Sequence, residues 1–135
     1  MSLVLDSSAT LAWIYPDEAL PAATTLFERI AENGAWVPGL WRIEVANSLQ
    51  VGIRRGRIDR DFRDNALADL RKLAISVDAA ADDVVWTTTL QLADRFGLTM
   101  FDAVYLELAQ RRSLPLASFD EAMRQAARTL GLDVI

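Results

Sequence analysis

Histidine and cysteine are both absent from this 135-residue chain. Those two absences exclude serine-histidine triads, cysteine nucleophiles and thiolate or imidazole zinc sites. A polar site here must be built from oxygen ligands, and clustered carboxylates suit hard divalent cations such as magnesium or manganese. Positive charge is also scarce, with a formal net charge of −5 and Lys72 as the single lysine. Bulk attraction to nucleic acid is therefore excluded, because sequence-independent affinity for phosphate comes from clustered Lys and Arg. No apolar run approaches the roughly 20 residues that span a bilayer. The opening MSLVLDSS has no basic stretch ahead of an apolar one, so no export signal and a cytoplasmic location are expected. The lack of cysteine agrees with a reducing compartment.

What is present fits one globular domain, 1–135, with a sizeable core: 52% of residues are hydrophobic and 24% charged. Strands are expected at Leu3–Leu5, Ala35–Val37, Ala74–Val77 and Leu116–Ala117, with Asp133–Ile135 as a fifth at the sheet edge. Helices are expected at Ala9–Tyr15, Pro21–Asn33, Leu40–Arg55, Asp59–Lys72, Asp82–Phe96, Thr99–Arg112 and Asp120–Leu130, with Gly34, Gly56, Gly97 and Gly131 as stops. Short apolar strands separated by helices predict a three-layer α/β/α sandwich around a short parallel sheet. No internal repeat, linker or low-complexity tract interrupts the pattern.

Within that pattern Asp6, Glu44, Asp102 and Asp120 stand at strand mouths or in the first turns of apolar helices. Ligands of open parallel sheets sit beyond the carboxyl ends of the strands, so all four acids can face one crevice. Acids gathered at one point repel one another, and such clusters usually hold metal. Each also has a purely structural reading. Thr99-Met-Phe-Asp102 and Ser118-Phe-Asp120-Glu121 match capping boxes, Asp6 can cap the helix that follows it, and Glu44 can be a solvated helical acid. Glu44 shares a face with Asn47 and Ser48, a polar stripe on an otherwise apolar helix, which favours a site.

The segments Leu-Val-Leu-Asp6-Ser-Ser, Trp-Arg-Ile-Glu44-Val-Ala-Asn47, Thr99-Met-Phe-Asp102-Ala-Val-Tyr105 and Ser118-Phe-Asp120 occur in the order seen in PIN domains, and the chain resembles a VapC-type toxin over essentially its whole length. Asp102-Ala-Val-Tyr105-Leu-Glu-Leu-Ala is the most specific block. The resemblance implies a small α/β/α domain that cleaves RNA with Mg2+ or Mn2+ held by Asp6, Glu44, Asp102 and Asp120. It implies supporting roles for Ser8, Asn47 and Ser118, the last standing where the family more often has threonine. It also implies restraint by a cognate VapB-type antitoxin, and a homodimer. Asp17, Asp94 and Glu121 are spare acids ranked below the four.

The expected chemistry is metal-assisted hydrolysis of a phosphodiester, with a carboxylate such as Asp6 or Asp102 positioning the attacking water. A haloacid-dehalogenase reading fails because that chemistry needs Asp-x-Asp where this chain has Asp6-Ser-Ser8. A phospho-acceptor receiver would need paired acids after the first strand and a late lysine. The remaining rival is a catalytically silent PIN-like binding module. Arg54, Arg55, Arg57, Arg60 and Arg63 are a local candidate for nucleic-acid contact, although Asp59, Asp61 and Asp64 are interleaved with them; the alternative is a solvated helix surface with i,i+4 ion pairs. Trp36, Trp41 and Trp86 are expected in the core. Trp13, with Ile14 and Tyr15, is either packed under the next helix or an apolar patch for an antitoxin helix or a dimer mate.

Overall fold

A computed structural model describes residues 1–15 and 21–135. Its centre is a four-stranded sheet of β1 (Val4–Leu5), β2 (Ala35–Pro38), β3 (Ile75–Asp78) and β4 (Leu116–Ala117), in the order β3-β2-β1-β4. All pairings are parallel, with Val4 opposite both Trp36 and Leu116 and Ala35 opposite Ile75. Leu3, Val4, Leu5, Leu116 and Ala117 are completely buried, as expected for central strands of a parallel sheet covered on both faces. The helices are α1 (Ser7–Ile14), α2 (Pro21–Asn33), α3 (Leu40–Arg54), α4 (Arg60–Arg71), α5 (Leu90–Phe96), α6 (Met100–Arg112) and α7 (Glu121–Thr129). The result is the expected α/β/α sandwich.

The strand order creates the place for a site. From β1 the chain steps outward to β2 and β3, then returns to lay β4 on the other side of β1. Loops leaving β1 and β4 therefore diverge, and the crevice between them is where open parallel sheets bind ligands. Asp6 follows β1 directly and Ser118 follows β4. Between the two runs α6, which packs against β1, β2 and β4. Ala103, Tyr105, Leu106, Glu107, Leu108 and Ala109 of α6 are all buried, the signature of a central helix with little solvent face.

Gly34 makes the turn from α2 into β2 at φ +73°, and a Cβ there would stand 2.7 Å from the Ala74 carbonyl oxygen. Only glycine meets both demands.

Four expectations are corrected. The segment Asp82–Phe96 is not one helix: Ala81–Val84 is a 3-10 turn and Val85–Thr89 a π-helical turn before α5 begins. The run Val84-Val85-Trp86-Thr87-Thr88-Thr89 explains this, because β-branched and aromatic side chains crowd the preceding turn of a regular helix. The change of winding turns Trp86 outward, so it is 89% exposed rather than core. Trp41 is buried and donates its indole N–H to Thr10 Oγ1 at 2.9 Å, whereas Trp36 is half-buried under the Arg112 guanidinium, 3.5 Å from its ring centroid. The fifth strand is reduced to a single bridge from Val134 to Leu116, since its neighbour β4 is itself only two residues long. Lastly, the arginine segment shows no i,i+4 ion pairs among the described residues: Arg63 pairs with adjacent Asp64 at 2.9 Å, and Asp59 instead caps α4 by accepting from Phe62 N at 2.8 Å.

Candidate active site

Asp6 occupies the N-cap position of α1 in extended conformation, yet its side chain makes no capping hydrogen bond. Instead Oδ2 accepts from Ser8 Oγ at 2.9 Å and from Ser118 Oγ at 2.7 Å, and Ser7 Oγ lies 3.4 Å from Oδ1. Asp6 is only 3% exposed and Ser118 fully buried. The same two serines accept backbone N–H groups, Phe119 N to Ser8 at 3.3 Å and Asp120 N to Ser118 at 3.1 Å. Hydroxyls serve here because each can accept from one loop while donating to the other. The exits of β1 and β4 are thus locked together around one carboxylate. Ser118 is not a helix cap, contrary to the capping-box alternative.

Glu44 reaches the cluster from the second turn of α3 and is half-buried. Its Oε1 accepts from Tyr105 Oη at 2.5 Å and lies 3.4 Å from Ser7 Oγ. Asp102 is half-buried in the first turn of α6, where Thr99 Oγ1 caps its backbone N–H at 3.1 Å. Asp120 is exposed at the N-cap of α7, with Oδ1 accepting from Met123 N at 3.0 Å. One carboxylate can both cap a helix and face a crevice.

Electrostatics tie the acids to one another. Burial pushes the Glu44 carboxyl above its usual value, and the negative charges of Asp6 and Asp102 add to this, while hydrogen bonds from Tyr105 and Ser7 oppose it. Burial likewise raises Asp102, aided by Asp6 and Asp120 and opposed by Thr99. Tyr105 is held strongly protonated, first by burial and then by the adjacent Glu44 carboxylate. Among the described residues no lysine or arginine is ion-paired with any of the four acids. Nor are three carboxylates among those residues already gathered at metal-coordinating spacing. The cluster is acidic, and among the described residues no Lys or Arg neutralises it.

Of the expected supporting residues, Ser8 and Ser118 bind Asp6 directly. Asn47 does not join them: it is exposed on α3 and lines a neighbouring groove of about 250 Å³ with Tyr15, Ser48, Arg55 and Arg57. Among the spare acids, Glu121 is engaged by Gln125 at 3.0 Å and Arg128 at 3.5 Å, Asp94 is exposed on α5, and Asp17 lies outside the described residues. Ser7 and Tyr105 are two members that reasoning from sequence missed. A signal existed for Tyr105, which stands three residues after Asp102 and so on the same helix face.

The PIN domain family model matches residues 3–129. Ribonuclease VapC3 of Pyrobaculum aerophilum is 31% identical over 127 residues, covering 93% of this chain and 94% of that protein. The crystal structure of PAE2754, also from Pyrobaculum aerophilum, has the same fold, with a TM-score of 0.70 at 23% identity over 99% of this chain and 92% of that one. Matched along nearly its whole length in sequence and fold, with the acids at the switch point of the sheet, the chain belongs to the PIN domain family and resembles its VapC-type members.

Proposed function

We propose that this protein is a divalent-metal-dependent endoribonuclease, the toxin of a VapBC-type pair, with Asp6, Glu44, Asp102 and Asp120 as its metal-binding and catalytic acids. The observation that carries the reading is the electrostatic coupling of four carboxylates from four elements, ion-paired with no Lys or Arg among the described residues, two of them raised by burial and by their acidic neighbours. The donor set fits a hard cation: every group is a carboxylate or hydroxyl oxygen, and a divalent charge would relieve the mutual repulsion. Bound Mg2+ or Mn2+ supplies a water of lowered pKa and offsets charge on the phosphodiester. Asp6, fixed by serine hydroxyls, and Asp102 orient the attacking water, while Glu44 and Asp120 complete the acidic wall.

The substrate reading is RNA. The VapC relative is named a ribonuclease, and the groove beside Asn47 is lined in part by Arg55 and Arg57. Arg55 stands eleven residues beyond Glu44 along α3, roughly 16 Å at helical rise, which suits a backbone phosphate a few nucleotides from the cleaved bond. A VapB-type antitoxin suits a second groove of about 400 Å³ lined by Trp13, Ile14, Phe27, Phe62 and Leu70. There Trp13 meets Phe27 edge-on at 5.9 Å. A single domain over 1–135, a homodimer and a cytoplasmic location complete the reading. Among the described residues no helix is long and apolar enough to cross a membrane.

One observation favours the rival, a catalytically silent PIN-like binding module: the acids are not gathered at coordinating spacing. Manganese titration by calorimetry separates the two. Binding in the wild type that is lost in Asp6→Asn and Asp102→Asn, with all three folded, supports the nuclease. Equal behaviour of all three supports the silent module.

A further inference from the structure

Tyr105 is completely buried, yet its hydroxyl ends against Oε1 of Glu44 at 2.5 Å, across 61 residues of sequence. Its ring fills the core under the sheet crevice, wedged among the apolar residues of the central cluster. The side chain therefore has one place to put its hydroxyl, and a rigid two-torsion aromatic delivers it there at small entropic cost. Glu44 by contrast is a flexible, half-buried side chain on a different helix. Ser7 Oγ, from α1, stands 3.4 Å from the same Glu44 oxygen and 3.4 Å from Asp6 Oδ1. One carboxylate oxygen is thus gripped from α6 and α1 at once, and the grip reaches Asp6 through a single hydroxyl.

We propose that Tyr105 is a positioning residue: its hydroxyl, with that of Ser7, fixes the Glu44 carboxylate relative to Asp6 and Asp102 and so sets how tightly the acid cluster holds a divalent cation. The inference rests on the metal-dependent reading above and deepens it. Oxygens that orient a ligating carboxylate typically change metal affinity 10–100-fold when removed. A phenol suits this position because Tyr105→Phe retains the ring that the core needs and removes only the hydroxyl that Glu44 needs.

The test uses the chain's content of two tyrosines, Tyr15 and Tyr105. Wild type, Tyr105→Phe and Tyr15→Phe are titrated with Mn2+ by calorimetry, and with Mg2+ while the near-ultraviolet tyrosine band is followed. The expected result is a Kd for Mn2+ raised about tenfold or more in Tyr105→Phe, with a circular dichroism spectrum like the wild type's. A Mg2+-induced change in the tyrosine band is expected in wild type and in Tyr15→Phe and is absent from Tyr105→Phe. A merely structural tyrosine would give no such metal-linked signal. Wild-type affinity in Tyr105→Phe, or an unchanged spectral response there, overturns the positioning role and leaves the metal-dependent reading standing. Failure of the wild type itself to bind Mn2+ overturns both. Should Tyr105→Phe fold poorly, Ser7→Ala, which touches the same oxygen from a partly exposed position, is expected to weaken Mn2+ binding in the same direction, and an unchanged affinity there overturns the shared grip.

Discussion

Two groups of acids in this small fold are treated in opposite ways. At the end of β3, Asp78 has a fully buried carboxylate that meets Arg111 at 3.0 Å and Arg112 at 2.7 Å, while Glu107 meets Arg111 at 2.6 Å. Arg112 in turn lies over Trp36, and Asp78 also accepts from Ala80 N at 2.9 Å. Hydrogen bonds from the two guanidiniums outweigh burial and hold the Asp78 carboxyl at about 2. At the β1/β4 crevice the acids' side-chain partners are serine and tyrosine hydroxyls, no Lys or Arg among the described residues is ion-paired with them, and Glu44 and Asp102 are raised. The contrast separates acids neutralised by guanidiniums from acids held by hydroxyls, and on the proposed function the second group is the one that would take a cation. Buried carboxylates used as structure come with their cations, because an unpaired buried charge is costly. Acids raised by burial and by their acidic neighbours carry a cost in the folded state, which a divalent ion would lower if the proposed function holds.

The largest expected effect comes from breaking the structural pair. Asp78→Asn leaves two arginines facing a neutral amide and is expected to cost about 3 kcal/mol, a fall in Tm of roughly 9–15 °C for a domain of this size. Mn2+ affinity should stay at the wild-type value, since Asp78 belongs to the other group. Thermal melting with and without Mn2+ checks both halves. A fall in metal affinity as large as the fall in stability would merge the two groups and end the comparison.

Next in size is the acid limb of stability. The Asp78 carboxyl is lowered from 3.8 to about 2, so its contribution is complete above 3.8 and is lost as the pH falls from there toward 2. The span corresponds to about 2 kcal/mol. Glu44 and Asp102 work the other way: their raised values mean that protonation relieves the folded state, so acidification removes a cost there. Urea unfolding followed down the pH scale should show stability falling steeply below pH 3.8 in wild type and much less in Asp78→Asn. Parallel curves for the two proteins would contradict the assignment.

The contrast also explains what could be read from sequence and what could not. The alternation of apolar strands and helices located the sheet within a residue or two, because burial on both faces leaves an uninterrupted apolar run such as Leu3-Val4-Leu5. The four acids stood out because each was expected where a strand or helix meets the crevice, and the structure couples Glu44 to Asp6 and Asp102, and Asp102 to Asp6 and Asp120. Partners were not legible, since they depend on which helices cross. Tyr105 looked like one more core aromatic, and only the meeting of α6 with α3 brings its hydroxyl to Glu44. Asn47, expected to support the site from one turn beyond Glu44, lines the neighbouring groove. Trp86 failed for a local reason, because periodicity assumes α-helical winding and the Val85–Thr89 segment is wound differently.

A smaller effect of opposite sign is expected within the crevice. Glu44→Gln keeps an oxygen for Tyr105 and Ser7 but removes the charge that Asp6 and Asp102 repel. In metal-free protein at neutral pH it should be more stable than wild type by about 1 kcal/mol, or roughly 3–5 °C in Tm. Saturating Mg2+ should narrow or reverse the gap, because only the wild type retains the full acidic set. Differential scanning calorimetry in chelator and in Mg2+ decides it. A destabilised Glu44→Gln in chelator would mean that the carboxylate is structural after all.

The smallest expected effect marks the boundary of the site. Glu121 is adjacent to Asp120, but its carboxylate is 69% exposed and turned along α7 toward Gln125 and Arg128. An exposed pair of this kind contributes about 0.5 kcal/mol or less, and Glu121 is absent from the charges that raise Glu44 and Asp102. Glu121→Gln should therefore leave Tm within about 2 °C of wild type and Mn2+ affinity unchanged, whereas Asp120→Asn, one residue earlier, should weaken Mn2+ binding. Calorimetric titration of the two variants side by side reads the difference. If Glu121→Gln weakened binding more than Asp120→Asn did, the fourth acid of the cluster would be Glu121, and the N-cap of α7 would be the whole role of Asp120.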